Sequence, residues 1–157
     1  HNCLVGSEMC IRDSINMTIH KSLTSLFKIK PYGKIFANED SSLNEDWTLG
    51  GQFDNTNPIY KELEKNYDLN IKNYFQSGIL YFDTNVIETS TKYEILDLVK
   101  KYPISKTNEQ GILNIYFLFI KKLYKVMPQN LDGLTTYSYW KKNDSVMITK
   151  QLIDKYK

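Results

Sequence analysis

Apolar and polar residues alternate along the chain in patterns that predict a mixed set of elements. Leu23, Leu26 and Phe27 form the stripe of a short helix over Ser22 to Phe27, with Ser22 at its start. Pro31, Tyr32 and Gly33 mark a turn, and Lys34 to Ala37 (KIFA) reads as a short extended segment. From Asn38 to Asn57 the chain is polar and predicts a long surface loop. A helix is expected over Pro58 to Tyr67, capped by Asn57, with Ile59, Leu63 and Tyr60 on its buried side. Tyr74 to Asp83 (YFQSGILYFD) is nearly continuous in hydrophobicity after Gly78 and has the length of a strand covered on both faces.

Helical spacing returns over Thr89 to Tyr102, where Ile95, Leu98 and Val99 would face inward, Ser90 or Thr91 opens the helix and Pro103 closes it. Asn108 to Leu123 is apolar almost all round from Ile112 to Ile120, the mark of a buried helix. Lys125 to Pro128 predicts a strand, Asp132 and Gly133 a turn, and Asp144 to Tyr156 a terminal helix on Val146, Ile148, Leu152 and Ile153. Strands interleaved with helices point to an α/β class. A plain α-helical interaction domain is the competing architecture, and it requires that Ile79 to Phe82 not be a sheet strand.

Composition narrows this further. At 157 residues, 41% hydrophobic, 24% charged and a formal net charge of +2, the chain suits one domain with one core. Collagen-like, low-complexity and disulfide-scaffold classes are excluded. The longest unbroken apolar run, Ile115 to Ile120, is six residues, against the roughly 20 that a membrane-spanning helix needs. Lysine pairs at 100 and 101, 121 and 122, and 141 and 142, with 12 tyrosines, raise nucleic-acid binding. Interleaved Asp and Glu, the small net charge and the scarcity of arginine argue against that partner.

Residues 1–14 stand apart. Leu4 to Ser14 (LVGSEMCIRDS) resembles the translation of a transposase-type sequencing adapter, residue for residue. Arg12 is the sole arginine and falls inside that string, while the other 143 residues carry 19 lysines, no arginine and one alanine, Ala37. We therefore read residues 1–14 as adapter-derived and 15–157 as the natural domain, whose own N-terminus is expected upstream. Cys3 and Cys10 are the only cysteines, so the natural part offers no disulfide or thiolate metal site.

Two further segments carry a resemblance. Phe75, Gln76, Ser77, Gly78, Ile79, Leu80, Tyr81, Phe82 and Asp83 match the order F-N-x-G, aliphatic residues, Asp. After a helix ending in Lys101, Tyr102 and Pro103 come Glu109, Gln110, Gly111, Ile112, Leu113 and Asn114, an acidic residue and Gln opening a helix with L-N in it. Upstream, Asn16 to Phe27 (NMTIHKSLTSLF) is similar to the stretch after an Asp-x-Asp, and Ile35, Phe36 and Ala37 lead to an acidic residue at Asp40. In order and spacing these segments resemble family 8 retaining glycosyltransferases.

That resemblance implies a GT-A nucleotide-sugar fold lacking its N-terminal strands. It implies a parent enzyme that moves a hexose from a nucleotide-sugar donor to a glycan or protein acceptor with retention. Gln110 would take the catalytic position, and Asp40, Gln76, Ser77, Gly78 and Glu109 would bind substrate. A divalent cation, manganese or magnesium, would serve the parent by neutralising the diphosphate leaving group.

Departures from the family pattern carry their own expectations. Gln76 and Glu109 stand where Asn and Asp are usual, each longer by a methylene. Asn16 occupies the position of one metal carboxylate and Ser14 that of the other. In place of the family's late His-x-x-Gly-x-x-Lys-Pro-Trp ligand segment the chain has Tyr139, Trp140, Lys141 and Lys142, and His20 has no His or Cys to partner it. The chain as it stands is expected to bind no metal and to catalyse no transfer. A non-catalytic sugar-binding or assembly protein on the same scaffold is the alternative. More local readings are a bulge at Gln76 to Gly78, and Asn108 as a helix cap with Glu109 favoured by the helix dipole.

Overall fold

A computed structural model describes residues 9–13, 17–19, 21–40, 46–138 and 145–149. In chain order these give strands β1 (Met9–Asp13) and β2 (Met17–Ile19), helix α1 (Thr24–Phe27), strand β3 (Ile35–Glu39), helix α2 (Ile59–Asn66), strand β4 (Phe75–Asp83) and helix α3 (Thr91–Lys101). Helix α4 (Gln110–Asn114) runs on into a π-helical segment, Ile115–Ile120, and strands β5 (Tyr124–Val126), β6 (Asn130–Leu131), β7 (Leu134–Ser138) and β8 (Ser145–Thr149) follow. The architecture is mixed α/β. One four-stranded sheet has the order β1-β4-β3-β5, antiparallel except for the parallel pair β3 and β5. A second sheet has the order β2-β8-β7-β6.

β4 is the interior strand that its continuous hydrophobicity predicts, paired on both edges, which removes the all-helical alternative. Ile79 and Tyr81 pack on one face with Leu26 of α1 and Met127. Leu80 packs on the other face with Ile35, Ala37, Leu113, Tyr116 and Phe117. Along the outer edge, residues 9–13 of the adapter-like segment pair in full antiparallel register with Ile79 to Asp83. A ladder of backbone groups asks little of side-chain identity, so an edge accepts such a segment whatever its origin.

Several expected elements move. The polar stretch Asn38 to Asn57 is not simply a surface loop: β3 extends to Glu39, and a 3₁₀ turn, Leu49–Gln52, follows with Leu49, Gly50, Gln52 and Phe53 buried. Leu49 and Gly50 donate backbone N–H bonds to the carbonyls of Ile71 and Leu69, and Leu49 and Phe53 join Leu63, Leu69, Tyr74, Tyr102 and Ile112 in one core cluster. Val99 is exposed rather than inward, because α3 turns Thr91, Glu94, Ile95 and Leu98 toward the sheet, a spacing of three and four that leaves position 99 outside. The expected helix over Asn108 to Leu123 is replaced from Ile115 by π-type turns, with the Lys121 N–H reaching the Tyr116 carbonyl.

Asn57 caps α2 as expected, its Oδ1 accepting the Ile59 N–H at 3.0 Å. Asp132 and Gly133 turn the β6–β7 hairpin with φ of 51° and 79°, the left-handed pair that such a two-residue turn requires. The terminal helix expected from Asp144 is contradicted where the chain is described: Ser145–Thr149 is a strand, parallel to β7. Val146 and Ile148 also fit the alternating pattern of a strand, and pairing with β7 and β2 decides between the two. Among the described residues no helix is long and apolar enough to cross a membrane.

Candidate functional site

The irregularity that builds the site lies between β3 and β4. Ala37 pairs with Leu80 and Glu39 with Phe75, so Gln76 to Ile79 stand opposite Asn38 alone. This is a bulge of several residues, as the local reading of Gln76 to Gly78 anticipated, and it swings the β4 backbone toward α4. Two side chains one helical turn apart hold it there. Asn114, wholly buried, accepts the Phe75 N–H on Oδ1 and donates Nδ2 to the Phe75 carbonyl, both at 2.8 Å. Gln110 accepts the Ser77 N–H on Oε1 at 3.1 Å. The bulged backbone therefore meets helix side chains where strand pairing has failed.

Gln110 then reaches in the other direction. Its Nε2 donates to Asp40 Oδ2 at 2.9 Å and to Gln52 Oε1 at 3.0 Å. Gln52, buried in the 3₁₀ turn, places Nε2 3.4 Å from both Asp40 Oδ2 and the Tyr74 hydroxyl. Asp40 itself is 5% exposed and follows β3 directly, with its N–H bonded to the Tyr74 carbonyl. Burial raises the Asp40 carboxyl above its ordinary value, and hydrogen bonds from Tyr74 and Gln110 offset this in part. Burial, with the Asp40 charge beside it, likewise pushes the Tyr74 phenol up.

These groups form the floor of a cavity of about 430 Å³ lined by Asp40, Asp46, Trp47, Thr48, Gly51, Gln52, Tyr74, Thr107 and Gln110. Trp47 is 42% exposed at its rim. Thr107 Oγ1 is buried without a hydrogen-bond partner. An exposed indole, several amides and hydroxyls and two carboxylates combine an apolar face with fixed donors and acceptors, the requirement for gripping a polyol. A second cavity, about 240 Å³ between β4 and α3, is lined by Ile35, Leu80, Phe82, Ile95 and Phe117 among others and offers almost no polar surface.

Of the residues singled out from sequence, Asp40 and Gln110 line the cavity. Ser77 and Glu109 do not line it, and Ser77 Oγ and Glu109 Oε1 are 3.4 Å apart. Gln76 and Gly78 are half-buried in the bulge and do not line the cavity. Asn108 does not cap α4: it adopts φ 51°, and Glu109 takes the N-cap position with no side-chain cap bond. Asn16, His20 and Tyr139 to Lys142 lie outside the described residues. Gln52, Tyr74, Trp47 and Thr107 were not anticipated. Their one sequence signal is Leu49 and Phe53, apolar residues four apart bracketing Gly-Gly-Gln inside a polar stretch.

A divalent cation does not fit the residues described. Magnesium-like ions need about six oxygen ligands at near-octahedral angles, whereas Asp40 is surrounded by amide N–H and phenol O–H donors that present hydrogen rather than lone pairs. Among the described residues no three His, Cys, Asp or Glu side chains come together. Comparison of the chain with models of known protein families, with curated proteins and with solved structures gives no match in any of the three.

Proposed function

We propose that the cavity beside Asp40 and Gln110 binds the sugar of a glycosyl-transfer reaction, in a chain derived from a GT-A-type transferase similar to family 8 enzymes. The parent would carry a hexose from a nucleotide-sugar donor to a glycan or protein acceptor with retention. One observation carries this reading: the polar opening of the buried strand, at Ser77, and that of the apolar helix, at Gln110, meet at 3.1 Å beside a cavity of sugar-accommodating size. The resemblance to family 8 enzymes joins these two segments by their order and spacing, and the contact between residues 33 apart supports reading them as one site.

The lining carries carboxylates and no Lys or Arg among the described residues, so it suits the sugar and not the diphosphate of a donor. Retention of a non-catalytic role is favoured by one feature. Both Nε2 hydrogens of Gln110 are spent on Asp40 and Gln52, which fixes the amide as a positioning group and leaves it no N–H to offer a reacting centre. The chain therefore binds a hexose and does not turn over a nucleotide-sugar.

Trp47 supplies the test. With Trp140→Phe as background, its emission is titrated with glucose, galactose and a uridine diphosphate hexose. Saturable change with a free hexose, and no release of nucleotide, agrees with the proposal. Manganese-dependent transfer would overturn the non-catalytic assignment, and no saturable change with any of the three would end the sugar-site reading.

A further inference from the structure

The cavity between β4 and α3 is the chemical opposite of the first. Ile35, Leu80, Leu113 and Phe117 give it buried apolar walls around about 240 Å³. Thr91 brings the one hydroxyl of the lining, and its Oγ1 is taken by the Glu88 N–H at 3.0 Å. Such walls would leave the polar groups of a sugar, a base or a peptide backbone unpaired, whereas a hydrocarbon chain loses nothing there. The two exposed lining residues, Ile87 and Lys92, mark the opening. Lys92 stands in the first turn of α3, where the helix dipole adds positive potential, and a lysine can lay its methylenes along an apolar rim while its ammonium stays in water. The acids nearest to it in sequence are already neutralised: Glu88 and Glu94 both pair with Lys121 Nζ at 3.1 Å. Among the described residues the Lys92 side chain makes no ion pair.

From this we infer that the cavity takes the hydrocarbon tail of a free single-chain amphiphile, a medium-chain carboxylate whose anionic head pairs with Lys92 at the opening. The two cavities share no lining residue, so the inference stands apart from the sugar-site reading. At roughly 30 Å³ for each water-sized group, the volume accommodates roughly eight carbons. Affinity then rises about fourfold with each methylene up to that length and levels off beyond it. A solvated ion pair with Lys92 adds about fivefold over an alcohol of the same length. That increment falls with added salt, since the opening faces solvent.

Hexanoate, octanoate, decanoate, octanol and octylammonium are titrated at pH 7, below their micelle concentrations, into the full chain, with the carbon-13 methyl shifts of Leu80, Ile87 and Ile95 as the readout. Octanoate is expected to shift all three along one saturable curve, to bind more tightly than hexanoate and about as tightly as decanoate, and to exceed octanol about fivefold, with octylammonium weakest. Lys92→Gln, at an exposed position, is expected to bring octanoate level with octanol, and Lys92→Arg to restore the difference. Octylammonium binding as tightly as octanoate, or an octanoate-to-octanol ratio indifferent to Lys92→Gln, overturns the inference. So does the absence of saturable methyl shifts with every chain. Phosphatidylglycerol vesicles form a separate arm: if they move these methyls and free octanoate does not, a membrane rather than a free amphiphile is the partner, and the inference fails.

Discussion

Asn114→Ala puts the architecture of the site to its severest test. The Asn114 side chain supplies the partners of both the N–H and the carbonyl of Phe75, and both residues have no exposed surface. Alanine removes those partners and leaves a void enclosed by Phe75, Leu113 and Tyr116 neighbours, where water does not readily substitute. Each buried backbone group left unsatisfied costs about 1 to 3 kcal/mol, so the substitution is expected to cost about 2 to 6 kcal/mol, a large share of the roughly 5 to 15 kcal/mol that holds an ordinary domain folded. Urea unfolding followed by far-ultraviolet circular dichroism measures the loss, and amide exchange at Phe75 locates it. Asn66→Ala is the control, since Asn66 is exposed and, among the described residues, its side chain bonds the Glu62 carbonyl and the Tyr102 hydroxyl, and it is expected to cost less than about 1 kcal/mol. A loss below about 0.5 kcal/mol for Asn114→Ala, with the Phe75 amide still protected, would refute the claim that helix side chains hold the bulge.

Other outcomes follow from the same geometry. Gly111→Ala would bring a Cβ to 2.8 Å from Phe53 Cζ and 3.2 Å from Ser105 Oγ, and is expected to destabilise by about 1 to 3 kcal/mol through overpacking, read as a lower urea midpoint. Gln52→Ala removes bonds to Asp40, Tyr74 and Gln110 and is expected to weaken hexose binding by about tenfold, since one lost hydrogen bond to a charged group costs roughly 1.5 kcal/mol, measured by Trp47 emission. Glu94, bonded by the Ser90 hydroxyl, the Tyr116 hydroxyl and Lys121, is held down to about 2 from an ordinary 4.5. Its folded value is depressed, so its contribution is complete above pH 4.5, declines as pH falls toward 2, and is absent from the acid unfolding curve of Glu94→Gln.

Much of this fold can be read from the chain because its signals are local. Asn57 and Pro58 start α2, Asp132 and Gly133 turn a hairpin, and the aliphatic run after Gly78 becomes a buried strand. Where expectation and structure part, the deciding interaction is distant in sequence. Leu49 and Phe53 are buried because Leu69, Ile71 and Tyr102 meet them, and nothing within a few residues announces those partners. Val146 and Ile148 satisfy either a helix or a strand until β7 lies beside them. The site divides in the same way. Asp40 and Gln110 stand at the ends of regular elements and were anticipated, whereas Gln52 and Trp47 come from a turn and its approach, where no periodicity marks a functional side chain, and Tyr74, just before β4, reads from sequence only as an apolar strand residue.

The central claim is that Ser77, Gln110, Gln52 and Trp47 respond to a sugar as one site. Nitrogen-15 chemical-shift mapping during a glucose titration tests it most directly. The account requires the Ser77 backbone amide, the Gln110 and Gln52 side-chain amides and the Trp47 indole to move together along one binding curve, while the Asn66 side-chain amide on α2 stays still. Shifts that follow separate curves, that gather around the apolar cavity between β4 and α3, or that never appear, would contradict it.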